Sequence, residues 1–243
     1  MDTPPNETIE HVLESLKSSL FTTLDMGGLH SRNPIAHKWK APYRTLQLRE
    51  VVYWRMLDLL DQSLVLHKQG HGLGARILLR SAFETLAMLI YLNQQMAKVI
   101  ANTVNFHVFS KKTETLLLGS RDGSTPVSAV NILTVLDGCD EGYPGIRNMY
   151  DRLSESAHPN YEGMSIGYTV IDHKADIVSF KNRWMELYGE KHIDAMMLCI
   201  KIFHLEYGAV WQGLFEQLEK WIEANDEALE ATKPKPPAAE ALD

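Results

Sequence analysis

Apolar residues recur at helical spacing along most of the chain. After Thr8, a plausible N-cap, Ile9, Val12, Leu13, Leu16 and Leu20 mark a first helix that should stop before Gly27-Gly28. The stretch 29–42, LHSRNPIAHKWKAP, holds two prolines and no clear period, so it reads as an ordered loop pinned to a core by Ile35 and Trp39. A helix from about Tyr43 to Lys68 follows, with Leu46, Trp54, Leu57, Leu60 and Leu64 on a broad apolar face. The next, from about Leu73 to Leu92, is apolar on nearly every side and belongs at the centre of a bundle. A further helix should span Met96 to Leu118 and break at Gly119–Gly123.

Pro126 and Pro144 each suit a first helical position. The first would open a short helix through Leu136. The second would open a helix with the stripe Ile146, Met149, Tyr150, Leu153 and Ala157, ended by Pro159 because a residue before proline is pushed out of the helical region. Near 164–180 the period changes: SIGYTVID and ADIVSF are β-branched or aromatic runs that predict a small hairpin. A last helix should run from Trp184 to Glu230, with a break near Gly189, and a proline- and alanine-rich tail over 231–243 should be disordered. The expectation is an all-α multi-helix bundle with a β-hairpin insertion, one domain over 1–230, forming a homodimer through a spare apolar face.

Composition narrows the function classes. With 243 residues, 45% hydrophobic and 23% charged, the chain is long enough and apolar enough to bury a core. Cys139 and Cys199 are isolated, so neither a disulfide framework nor a cysteine metal site is suggested, and a reducing compartment fits. The acidic, proline-containing start argues against a secretory leader, and the apolar run Leu86–Leu92 is too short to span a bilayer. The expected location is the cytoplasm, with no membrane partner. A net charge of −7 gives no general attraction to nucleic acid. No HExxH, Walker A, dinucleotide fingerprint or nucleophile elbow occurs, so no metal or cofactor is expected.

Two constellations could carry chemistry. Arg76, Arg80 and Glu84 recur every four residues on the otherwise apolar helix. Such charges either pair with each other or a neighbouring helix, or hold an anionic ligand. On the helix opened by Pro144, the residues Arg147, Asp151, Ser154 and His158 fall on nearly one line opposite the apolar stripe, and His158 sits at the C-terminal end, where the helix dipole favours an imidazolium. The alternative for that line is a solvated face whose terminal histidine caps free carbonyls.

A helix bearing LLRSAFE (Leu78–Glu84), followed by one bearing LSESAHP (Leu153–Pro159), resembles the HEPN superfamily (higher eukaryote and prokaryote nucleotide-binding), in particular its uncharacterised bacterial all-helical members. The resemblance covers about 43–160. It implies a helical bundle, often dimeric, acting in a bacterial stress, toxin or phage-defence system, and in some members a metal-independent endoribonuclease with an arginine-to-histidine motif. Arg152 and His158 match that motif here, as Arg-Leu-Ser-Glu-Ser-Ala-His. The histidine would move a proton of the ribose hydroxyl or leaving group, and the arginine would stabilise charge on the phosphorus centre, with RNA as substrate. Arg32 and His37 also match in letters, but Pro34 between them argues against the required helix. The rival reading is a non-catalytic module that uses the Arg76–Arg80–Glu84 groove and the Arg147-to-His158 face to hold a ligand or partner protein; Leu153 on the apolar stripe and the acidic charge favour it.

Overall fold

The computed structural model describes residues 8–234, and these form an all-α architecture with one two-stranded hairpin. The helices are α1 (Ile9–Ser18), α2 (Met26–Arg32), α3 (Pro34–His37), α4 (Lys40–Lys68), α5 (Gly72–Ile100), α6 (Phe106–Leu118), α7 (Ile132–Asp140), α8 (Ile146–Ala157), α9 (Trp184–His204) and α10 (Trp211–Ala231). Two π-helical stretches, Tyr161–Ile166 and Leu205–Val210, follow α8 and α9. Strands β1 (Thr169–Asp172) and β2 (Ile177–Phe180) pair antiparallel, with Thr169 opposite Phe180 and Asp172 opposite Ile177. No helix among the described residues is long and apolar enough to cross a membrane.

The described residues form two compact units, one from 8–23, 49–91 and 131–209, the other from 24–48, 92–130 and 210–234. In the first, Tyr53, Met56 and Leu60 of α4, Leu79, Phe83 and Leu86 of α5, Leu153 of α8 and Met196 and Phe203 of α9 are buried together with Leu13 of α1. The Tyr53 hydroxyl donates to the Leu16 carbonyl at 2.9 Å, and the Trp54 indole donates to Phe21 at 2.9 Å, which ties down the end of α1 and the chain after it. The second unit centres on Trp39, Phe106 and Phe109, with Phe215, Leu218 and Ile222 of α10. There Glu219 is buried and accepts from both Arg32 and His37, the latter at 2.6 Å.

Several boundaries differ from the sequence expectation for definite reasons. The segment 29–42 is not a loop. Asp25 caps α2 by accepting from Gly28, Asn33 caps α3 by accepting from Ala36 at 2.9 Å, and Pro34 occupies the first turn of α3, where its missing N–H costs nothing. Trp39 is buried as expected, whereas Ile35 is exposed. Helix α5 does not stop at Leu92, since Asn93-Gln94-Gln95 contains no breaker; it ends only at Ile100, followed by Asn102 in the left-handed region and the Asn105 cap of α6.

Pro126 opens no helix. Thr125 turns back onto the Leu118 and Val127 carbonyls, and α7 starts six residues later, capped by Asn131. Gly145, left-handed with φ 99°, precedes α8, and the Asp140 carboxylate accepts from the Gly145 and Arg147 amides at 2.9 and 3.0 Å. Gly189 does not break α9; a helix-interior glycine costs only about 1 kcal/mol and burial of this helix outweighs it. The hairpin is narrower than 164–180 because its first residues are π-helical. The tail expected to be disordered lies, from residue 235 on, outside the described residues.

Candidate functional site

Helices α8 and α9, the π-helical stretch after α8 and the part of α5 that belongs to the first unit enclose the site. Arg76 enters it from α5 with its side chain 7% exposed. The Arg76 Nε donates to the Ser156 hydroxyl at 2.8 Å, and Nη2 donates to the Arg152 carbonyl at 3.1 Å. Ser156 passes its own proton toward Glu162 at 2.6 Å, so the hydroxyl links the guanidinium to a carboxylate that lies 3.9 Å from it directly. The guanidinium also lies over the Tyr188 ring, 4.0 Å from its centroid. Burial holds the Arg76 pKa below the ordinary arginine value; Glu162 and Tyr188 oppose that, and the neighbouring Arg152 adds to it.

Around these groups is a cavity of about 450 Å³, lined by Arg76, Met149, Arg152, Leu153, Glu162, Tyr188, Lys191, Asp194, Ala195 and Leu198. That size is ordinary for a small-molecule site. The exposed Arg152 and Lys191 side chains have no hydrogen-bond or ion-pair partner among the described residues, so both cations stand unpaired at its rim. Of the residues singled out from sequence, the structure brings Arg76 and Arg152 into this cavity.

The others go elsewhere. Arg80 pairs with Glu84 at 3.1 Å and donates to the Ser154 hydroxyl at 2.8 Å and the Tyr150 hydroxyl at 2.6 Å, while Tyr150 donates to Glu84 at 3.0 Å. These four side chains close a circuit that clamps α8 to α5, with both charges neutralised. Arg147 pairs with Asp151 at 3.0 Å and with Asp137 on the surface. His158 is exposed, lies outside the cavity lining, and leaves the helical path at φ −94° and ψ 148°, as a residue before proline does. Leu153, between Arg152 and Ser154, is 1% exposed.

Sequence reading missed Tyr188, Lys191, Asp194 and Glu162. A signal existed for the first three: Tyr188, Lys191, Asp194, Ala195 and Leu198 follow the three-and-four spacing of one helix face, which the expected break at Gly189 hid. Glu162 belongs to a π-helical turn, for which the sequence has no period to read.

Beneath Arg76 lies a second, tighter recess bordered by His67, Trp184 and His192. The two imidazoles stack 5.1 Å apart. Ser63 donates to the Ala75 carbonyl at 2.8 Å, so its oxygen accepts from His192 Nε2 at 3.1 Å, which leaves His192 neutral with a bare, buried Nδ1. Burial, with His67 and Arg76 nearby, pushes the His192 pKa down to about 3. Cys139 is likewise inert as a thiolate, since burial pushes its pKa up to about 12, and Cys199 is raised further still. No group of three or more His, Cys, Asp or Glu side chains among the described residues could hold a metal ion.

Residues 51–124 match a family of unknown function (DUF5677). The match covers under a third of the chain, takes in Arg76, Arg80 and Glu84, and stops short of α8. No curated protein and no solved structure gives a significant match.

Proposed function

We propose that this chain is a HEPN-like helical binding module without catalysis of its own, holding a small anionic ligand in the Arg76 cavity. The observation that carries this reading is a buried arginine at the base of a ligand-sized cavity with two unpaired cations, Arg152 and Lys191, at its rim. Unpaired like charges beside a buried guanidinium repel one another, and an anion seated among them removes that cost. A histidine outside the cavity lining and a leucine committed to the core do not supply the acid–base pair that phosphodiester cleavage needs.

Thermal unfolding with a panel of small anions tests the module. At a ligand concentration 100 times its dissociation constant the gain is about 2.7 kcal/mol, which raises the midpoint by roughly 5–11 °C for a chain of this size. The shift should shrink in Arg152→Ala at the same ligand concentration. A panel in which no anion shifts the wild type would sink the reading.

One observation favours the ribonuclease as a second reading. On an ideal helix Arg152 and His158 would lie about 240° apart, but His158 has left the helix, which frees its ring from that constraint. RNA cleavage without metal separates the two.

A further inference from the structure

We infer that the ligand class of the Arg76 cavity is a singly charged amphipathic carboxylate, an acid with a short aliphatic chain or one ring; this rests on the cavity being the binding site proposed above. Four features of the cavity converge on that class.

The first is charge. Arg76, Arg152 and Lys191 face Glu162 and Asp194, leaving one positive charge in excess. A monoanion restores neutrality, whereas a phosphate dianion or a nucleotide brings more negative charge than the lining can balance. The second is the position of Glu162, 3.9 Å from the Arg76 guanidinium and bonded to Ser156, where it repels a second ionised oxygen close by. The third is an unused donor. Arg76 Nε and Nη2 are bonded, while Nη1 donates to no group among the described residues. One free guanidinium nitrogen suits one carboxylate, an oxygen of which accepts its N–H in a charge-assisted hydrogen bond.

The fourth is the wall. Met149, Leu153, Ala195 and Leu198 line the remainder with apolar surface, and the Tyr188 ring, already under Arg76, continues it. A bare inorganic anion would leave most of the cavity of about 450 Å³ unfilled and the partly exposed Met149, Tyr188 and Leu198 surfaces wet. An aliphatic tail or an aromatic ring buries them.

Isothermal titration of the full chain with acetate, butyrate, hexanoate, benzoate and inorganic phosphate tests the inference. Affinity should rise from acetate to hexanoate by roughly fourfold per added methylene until the apolar wall is covered, and inorganic phosphate should bind at least tenfold more weakly than hexanoate. Arg76→Met removes bonds to Ser156 and to the Arg152 carbonyl and can unfold the site, so exposed positions carry the test. Lys191→Glu turns the excess charge negative and should weaken hexanoate at least tenfold, and Arg152→Ala should weaken it several-fold, with both variants folded by circular dichroism. Phosphate binding as tightly as hexanoate, in an Arg152-dependent manner, would overturn the carboxylate class while leaving the module standing. Hexanoate affinity untouched in both variants, or absent in the folded wild type, would overturn it outright. RNA cleavage by the wild type would strike at the module itself.

Discussion

Tyr150→Phe isolates the clamp between α5 and α8. The ring is 3% exposed and keeps its packing in the variant, while the hydroxyl, which accepts from Arg80 at 2.6 Å and donates to Glu84 at 3.0 Å, is lost. Hydrogen bonds to charged partners contribute about 1.5–3 kcal/mol each. Arg80 and Glu84 retain their own pair at 3.1 Å, and Arg80 retains Ser154, so the net loss should be that of about one such bond, about 1.5–3 kcal/mol. For a chain of this length that lowers the unfolding midpoint by roughly 3–12 °C. A double-mutant cycle with Glu84→Gln then gives the interaction directly, and side chains sharing one network should show a coupling of about 0.5–3 kcal/mol. If Tyr150→Phe stays within about 0.5 kcal/mol of wild type and the two substitutions simply add, the circuit is not structural. Arg80 and Glu84 would then return to the list of groups available to a ligand.

Acid should destabilise the first unit through His192. Its folded pKa of about 3 lies below the ordinary histidine value of 6.5, so the unfolded chain takes up the proton first, and the contribution is complete above pH 6.5 and lost as pH falls toward 3. His192→Leu should therefore flatten the decline of unfolding midpoint between pH 6.5 and 4, and an unchanged slope would refute the assignment. Leu153→Ala should cost about 2–5 kcal/mol in urea unfolding, since this side chain is 1% exposed; a loss under about 1 kcal/mol would mean that the residue after Arg152 is not committed to the core. Gly163→Ala places a β-carbon against the His158 carbonyl, which cannot yield without moving the backbone. Amide exchange over 158–166 should accelerate, and protection equal to wild type would show that the turn is looser than described.

The helical class and most helix positions were legible because amphipathic spacing survives in the sequence wherever one face is buried, as in α1, α4 and α8. The helices that were hidden had no periodic signal. Short helices α2 and α3 are made by Asp25 and Asn33 caps rather than by an apolar stripe, so Gly27, Gly28 and Pro34 made them resemble a loop. The site was half legible. Arg76 stood out as a charge on an apolar helix, but nothing in its spacing distinguished it from Arg80, and only packing sends one to a cavity and the other to a carboxylate. Lys191 and Tyr188 sit on an ordinary surface-like pattern, and their meeting with Arg76 is a matter of tertiary placement.

Whether the chain acts by binding or by cutting is settled most directly by incubating a mixed RNA pool, in EDTA, with the purified wild type beside Arg152→Ala and His158→Ala. The expected result is intact RNA with all three proteins, under conditions where each is folded. Cleavage by the wild type to 2′,3′-cyclic phosphate ends, lost in both folded variants, would contradict the binding module and assign Arg152 and His158 to catalysis.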